Sequence, residues 1–556
     1  MKVTRRDLLV WSAGAAAGLM VTPAPWKILD DVSIWSQNWP WIPQPAHGPV
    51  EVRQSFCTLC PNGCGLRVRI AAGWPVGVAG MKTHPVTRGA LCPLGFGAHQ
   101  LNWHPQRLRN VQHHGKTSSW RDAQAAFAKA RNEGSVVVVD GYPGRAASAV
   151  LQRFARKQGG SYRVVASAES RALAPYESWS GLPSSDLGYD LENAQTIVSF
   201  GAPMLDGWGT PGRFTQLWAE RAAGISDPEL RLIQIEPSLS RSAARAWKWI
   251  AIREGSESAL AAGLARVLLE QKLVPAHGPV PALTIAEAAK QTGLSADAIC
   301  DLARSLVARP PVLAIARDRD PAVAALNVVL GSVGARGGII RRGHKTETYL
   351  SADTEISNAR AVLIDSSVPW NFVPQTEGET FRFAAWGGGS TKADWLLPAF
   401  GFLEELTDVP TPPTSAIEIY AVAPALAKPT TDVRSAAQFL AALDADVSSP
   451  EKIIHGRCAE LFRARQGTLD AQESIHIEKI PSLAKFEEQL WSGAVWVGEP
   501  SPVGGLHCEL KSWPASAPPA PRENWASDWP APVLPPLASK LYRESNLREA
   551  PERSKV

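Results

Sequence analysis

Three cysteines crowd into eight positions in the stretch FCTLCPNGCG, residues 56–65. Cys57, Cys60 and Cys64 form a C-x2-C-x3-C step, and Cys92 follows after 27 intervening residues. Turns at Pro61, Gly63 and Gly65 let the first three sulfurs converge. The stretch LRVRIAAGWPVGVAG (66–80) alternates apolar and polar residues, which predicts a β-hairpin with its turn near Gly73. A hairpin runs out and back, so Cys92 is returned to the first three cysteines. Four thiolates can bind zinc or an iron–sulfur cluster, and disulfides are a third use of such residues. Zinc sites usually pair two C-x2-C knuckles, whereas three thiolates together and one distant suit a cubane whose corners need one each. The spacing favours [4Fe–4S] and leaves zinc and disulfides open. The odd total of seven cysteines speaks against disulfides.

The chain begins MKVTRRDLLVWSAGAAAGLMVTPAPW. Arg5 and Arg6 precede an apolar run from Leu8 to Val21 that falls short of the ~20 residues a bilayer span takes. The RRDLL pattern resembles a twin-arginine export signal, which carries proteins already folded around a cofactor. No clean A-x-A cleavage site follows, so an uncleaved tether is one expectation. A length of 556 residues allows three or four domains. The net charge of +4 comes with no Lys/Arg stripe, so there is no footing for nucleic-acid binding.

With HPVTRGALCPLG (84–95) behind it, the cysteine pattern resembles the N-terminal domain of the molybdopterin oxidoreductase superfamily, which includes formate dehydrogenases, periplasmic nitrate reductases and polysulfide reductases. The resemblance implies that Cys57, Cys60, Cys64 and Cys92 each ligate one iron of a [4Fe–4S] cluster. It continues along the chain to about residue 430. SVVVVDGYPGRAASAVLQRFARK (135–157) reads as a strand, a Gly-containing loop and a helix whose N-terminus can face a phosphate. AQTIVSFGAPMLDGW (194–208) resembles the family's strand-G-x-N-P element, with Ala202 where Asn is usual. Glu236-Pro237 and Arg253–Glu257 stand where Asp-Pro and P-G-T-D usually stand. LNVVLGSVGARGGII (326–340) and TKADWLLPAFGFLEEL (391–406) resemble further landmarks. The expected fold is α/β: a small N-terminal [4Fe–4S] β domain, two doubly wound α/β domains, and a reduced C-terminal region. The expected boundaries are a signal or anchor at 1–27, a Trp-rich partner-contact segment at 28–49, and the cluster domain at 50–113. Paired α/β domains follow at 114–430, a reduced region at 431–512 and a Pro-rich tail at 513–556.

Three departures set the chain apart from active members of that family. The loop GGSYRVVASAESRAL (159–173), where a metal ligand usually sits, contains no Cys; Ser167 and Glu169 are the conceivable ligands. Leu94 stands where Lys or Arg usually lies between cluster and pterin. The domain that closes over both pterins is hard to find after Thr430. These departures imply that molybdopterin is absent and that no residue is catalytic. WKILDDVSIWSQNWPW (26–41) and LPPLASKLYRESNLR (534–548) resemble the molybdopterin-like, molybdenum-free subunit of menaquinone reductase complexes (the Qrc type), and the second also resembles the related subunit of alternative complex III.

That resemblance implies a periplasmic, membrane-associated subunit that relays electrons or scaffolds a complex. Its partners would be a multihaem cytochrome c, an iron–sulfur subunit and a polytopic quinone-binding membrane subunit. Membrane association would come through those partners or through an uncleaved N-terminus. Trp35, Trp39 and Trp41 suit a partner surface, a membrane interface or this chain's own core. The alternatives are an active molybdenum or tungsten bis-pterin oxidoreductase and a structural zinc protein. His113-His114 and His507-Cys508 read as surface residues, and Cys300 and Cys458 as buried structural thiols.

Overall fold

A computed structural model of the chain describes residues 3–21, 48–275 apart from 206 and 224–226, 278–343, 350, 351, 356, 358–387, 393–444, 448–499 apart from 472, and 505–515. The Trp-rich segment around Trp35–Trp41 and the tail at 534–548 lie outside the described residues. Two units partition the chain: Met1–Glu51 with Ala71–Trp74, and the remainder. In the first, Arg5–Val21 forms a helix whose described side chains are exposed. Asp7 accepts the Thr4 N–H at 2.9 Å at its start. Among the described residues no helix is long and apolar enough to cross a membrane.

The expected hairpin is present. β1 (Val50–Phe56), β2 (Gly65–Ala71) and β3 (Trp74–Gly80) form a three-stranded sheet in that order. Ala72 and Gly73 join β2 to β3, both at positive φ (49° and 80°), the backbone that matches the twist of paired strands.

The second sheet has eight strands. It uses β4 (Gln112–His113), β5 (Lys116–Thr117), β6 (Val136–Asp140) and β7 (Ser161–Val164). Later sequence supplies β14 (Leu350–Ser351), β15 (Ala361–Ile364), β16 (Glu379–Ala384) and β17 (Trp395–Pro398). The order is β14-β7-β6-β15-β16-β17-β4-β5, parallel from β14 through β17. Val138 lies opposite Leu363, and Leu363 opposite Phe381. Every residue of β6 is buried, as a parallel strand covered on both faces requires. The helix Ala146–Lys157 sets Val150, Leu151 and Phe154 into the same core as Phe127 and Phe381. The rings of Phe127 and Phe381 meet edge to face at 5.1 Å.

The third sheet contains β9 (Thr196–Phe200), β10 (Arg231–Ile235), β11 (Lys248–Ile250) and β12 (Val312–Ala316) in the order β11-β10-β9-β12, all parallel. The helices Glu257–Glu270, Ala296–Val307 and Pro321–Val329 share its core. β8 (Leu187–Tyr189) and β13 (Ile339–Arg341) pair antiparallel beside it. Two mainly parallel sheets behind a small β domain match the α/β expectation.

A fifth sheet departs from the C-terminal expectation. β18 (Thr407–Pro410), β19 (Ile419–Ala423), β20 (Thr468–Asp470), β21 (Ser474–His476) and β22 (Val495–Val497) pair antiparallel in the order β18-β19-β22-β20-β21. The boundary drawn at 430/431 therefore runs inside one sheet. The helices Pro450–Ala464 and Leu483–Trp491 give it a core that includes Cys458, Phe486 and Trp496.

Candidate metal centre

Cys57 is the first residue after β1, and Cys64 the last before β2. The Cys57 N–H donates to the Cys64 carbonyl at 2.8 Å and closes the loop between them. Gly63 takes φ +56° there, and a Cβ at that position would meet Val409 Cγ1 at 2.2 Å. The path to Cys92 is fixed by His84, which is fully buried. Its Nδ1 accepts the N–H groups of Val86 and Thr87 at 3.2 and 3.1 Å, shaping the turn that leads to Leu91. Burial drives the His84 pKa down to about 3, so the ring is a neutral acceptor near pH 7. Cys92 then caps the short helix Pro93–Gly97, its Sγ accepting the Gly95 N–H at 3.3 Å.

All four cysteines line one pocket, together with Leu59, Asn62, Leu91, Leu94, Gly95 and Pro211. Cys57 and Cys64 are buried, and Cys60 and Cys92 half-buried. The helix Pro211–Arg221 starts against this pocket. A Cβ on Gly212 would sit 3.2 Å from Cys64 Sγ. The Asn62 amide lies beside the Cys60 thiol, and its Nδ2 donates to the Gly209 carbonyl at 3.0 Å.

Burial, reinforced by the neighbouring Cys92, pushes the Cys57 thiol up to about 12. Burial and the neighbouring sulfurs also push Cys60 and Cys64 far up, and burial raises Cys92. Four thiolates cannot coexist in such a pocket without compensating positive charge. A polynuclear metal group supplies that charge and deprotonates its ligands outright. Among the described residues, no group of three or more His, Cys, Asp or Glu side chains forms a single-ion site. The four sulfurs surround a pocket lined with leucines and backbone N–H groups. One thiolate per corner, an apolar wall and N–H donors to sulfur are the surroundings that suit an iron–sulfur cluster.

The other sequence candidates fall elsewhere. The Ser167 hydroxyl caps the helix Ala168–Ala172 by accepting the Ser170 N–H. Glu169 is buried, accepting hydrogen bonds from Thr414 Oγ1 and, at 3.3 Å, from Thr210 Oγ1. Burial pushes its pKa up to about 7. His114 is exposed, and His113 stacks on Trp395 at 4.1 Å. Cys508 is half-buried against the core of the third sheet. Cys458 is fully buried, whereas Cys300 is only half-buried because its helix turns that edge outward.

A second cavity opens after the C-terminal ends of β15, β16 and β17, beside the cysteine loop at Thr58 and Leu59. Arg145, Arg382, Ser366 and Ser367 line it. The Arg145 guanidinium is matched within the protein by Asp140 at 2.9 Å and Asp365 at 2.8 Å. The helix Ala146–Lys157, of a kind that can face a phosphate, is capped by the protein's own carboxylate. Asp408 Oδ1 accepts the Ala146 N–H at 2.7 Å. Arg457 and the Tyr420 hydroxyl donate to its other oxygen at 2.5 and 3.2 Å. In the third sheet, Asp320 caps Pro321–Val329 by accepting two backbone N–H groups. Asn62, His84 and Asp408 were not legible as site residues. The Asp408 contact joins residues 262 positions apart, and no local pattern announces it.

Residues 50–101 match the molybdopterin oxidoreductase Fe4S4 domain. The chain is 27% identical over 522 residues to the menaquinone reductase, molybdopterin-binding-like subunit of Nitratidesulfovibrio vulgaris, covering 83% of this chain and 75% of that one. It is 21% identical to the thiosulfate reductase molybdopterin-containing subunit PhsA of Salmonella typhimurium, over 62% of this chain and 50% of that one. The fold is similar to that of acetylene hydratase from Pelobacter acetylenicus, with a TM-score of 0.60 at 12% identity, covering 80% and 74% of the two chains. The arrangement of cysteines and these likenesses agree: residues 50–101 form a molybdopterin oxidoreductase Fe4S4 domain, and the chain is similar over most of its length to the molybdopterin-binding-like subunit of menaquinone reductase.

Proposed function

We propose that this chain is the periplasmic, iron–sulfur subunit of a membrane-bound menaquinone reductase complex. In it, Cys57, Cys60, Cys64 and Cys92 hold one [4Fe–4S] cluster and no molybdopterin is bound. When bound, such a cluster supplies one-electron transfer. The chain's own residues do the rest. Asn62 and the Gly95 N–H steady two of the sulfurs, and Leu59, Leu91 and Leu94 keep the pocket dry. The half-buried Cys60 and Cys92 support electron exchange with a partner that docks beside the pocket. That partner is a multihaem cytochrome c or an iron–sulfur subunit, with a polytopic quinone-binding subunit completing the complex. Export would use the twin-arginine signal.

The observation that carries the molybdenum-free reading is the pair of internal carboxylates, Asp408 and Asp320. They occupy helix N-termini that a doubly wound fold offers to dinucleotide phosphates. Ser167 and Glu169 are likewise engaged inside the protein. One observation favours a second reading, an active pterin enzyme: the cavity with Arg145 and Arg382 opens past the C-terminal ends of parallel strands, where a doubly wound fold takes its ligands. The test is purification of the tagged chain from detergent-solubilised membranes. Co-purification with a c-type cytochrome and menaquinone-linked electron transfer supports the proposal. A chain that purifies alone, with pterin and molybdenum or tungsten, contradicts it.

A further inference from the structure

Glu169 is a fully buried carboxyl that the proposed electron transfer does not use. It lies close behind the cysteine pocket. A Cβ on Gly209 would sit 2.5 Å from Glu169 Oε2, and the Gly209 carbonyl accepts from Asn62, whose amide lies beside Cys60. The next residue, Thr210, donates its hydroxyl to Glu169 at 3.3 Å. Two residues further, Gly212 packs on Cys64 Sγ. The carboxyl is thus joined to the thiols of Cys60 and Cys64 through one short backbone segment, 209–212.

The groups facing Glu169 leave it without a dedicated cation. Arg213, on the helix Pro211–Arg221, is fully buried, but its guanidinium is gripped by both Glu192 oxygens at 2.7 and 2.5 Å. It also donates to the Tyr189 carbonyl at 2.8 Å. Arg342, after β13, faces the carboxyl more weakly and donates to the Ser185 carbonyl. The Tyr189 ring and the Thr414 hydroxyl complete the surroundings. Desolvation outweighs both arginines and holds the pKa near 7, so small changes in local charge alter its protonation.

We propose that Glu169 is the proton-accepting site coupled to reduction of the group held by Cys57, Cys60, Cys64 and Cys92. A one-electron donor, a haem or iron–sulfur protein, delivers one electron to that group. One proton passes from a hydronium ion of the solvent to a Glu169 carboxylate oxygen; the hydronium O–H bond breaks to leave water, a carboxyl O–H bond forms, and the added negative charge is offset. Linkage makes the effect reciprocal: protonation of Glu169 favours the reduced state. The inference rests on the cysteines holding a redox-active cluster, so iron content is measured on the same sample.

The experiment is a redox titration of the purified protein with dithionite, followed by electron paramagnetic resonance, at several pH values from about 6 to 8. The wild-type midpoint should fall as pH rises. The limit is 59 mV per pH unit, a tenfold change in a one-electron equilibrium. In Glu169→Gln, with unchanged iron content, the midpoint should be flat. Thr414→Val removes a hydrogen bond that favours the ionised carboxyl, so its pH-dependent window should move upward. That variant serves where Glu169→Gln fails to load iron. A flat wild-type midpoint, an equal slope in Glu169→Gln, or an unmoved window in Thr414→Val overturns the proposal. Absence of iron from the wild-type protein overturns the cluster assignment itself.

Discussion

Replacing Asp408 by Ala tests whether an internal carboxylate has taken over a helix N-terminus in this fold. Asp408 is fully buried and accepts from Ala146 N–H, Tyr420 Oη and Arg457. Loss of the cap costs about 1 kcal/mol. Leaving the Tyr420 hydroxyl and the partly exposed Arg457 without their acceptor adds about 2 kcal/mol. The sum, about 3 kcal/mol, corresponds to roughly a hundredfold change in a local opening equilibrium. Hydrogen exchange read by mass spectrometry on peptides covering 141–157 measures it directly, without requiring this large chain to unfold in one step. Exchange there should quicken by roughly a hundredfold in Asp408→Ala and by less than tenfold in Asp408→Asn, because Asn is itself a good cap. Added phosphate should restore part of the protection in Asp408→Ala, since the freed N-terminus and Arg457 form an anion site. Unchanged exchange in Asp408→Ala would refute the capping argument, and with it the main support for a phosphate-free loop.

Two further outcomes follow from the cysteine pocket. Cys60→Ser should abolish the paramagnetic signal of the reduced protein and lower the amount exported; full iron content in that variant would sink the ligand assignment. His84 is held neutral, with its folded pKa depressed to about 3 from an ordinary 6.5. Its contribution to stability is therefore present above pH 6.5 and lost as pH falls toward 3, on the order of 5 kcal/mol in full. The thermal midpoint and iron retention should decline together over that range, and a His84→Gln variant with the same acid profile would refute the role given to His84.

What could be read in the sequence was local. The C-x2-C-x3-C step, the alternation of residues 66–80 and the all-apolar run Val136–Val139 each record a contact with near neighbours, and each forms the element its pattern implies. The C-terminal sheet was illegible because β20, β21 and β22 are three residues each, too short for any periodicity to register. They become strands only through pairing: β22 with β19, more than seventy positions away, β20 with β22, and β21 with β20. The same holds for site chemistry. Glu169 could be noticed as a carboxylate, but its burial depends on Thr414, 245 positions distant, and on Gly209 leaving room for it. His84 opens a quoted motif, yet its role as a backbone acceptor appears only when Val86 and Thr87 turn back on it.

In the proposed function, four cysteines hold a redox cluster in a fold without a pterin metal site. The most direct measurement is elemental and cofactor analysis of the purified protein, with electron paramagnetic resonance after reduction. The expected result is about four irons per chain, a cubane signal, and no molybdenum, tungsten or pterin. Molybdenum or tungsten bound with pterin would contradict it, as would a colourless protein containing zinc and no iron.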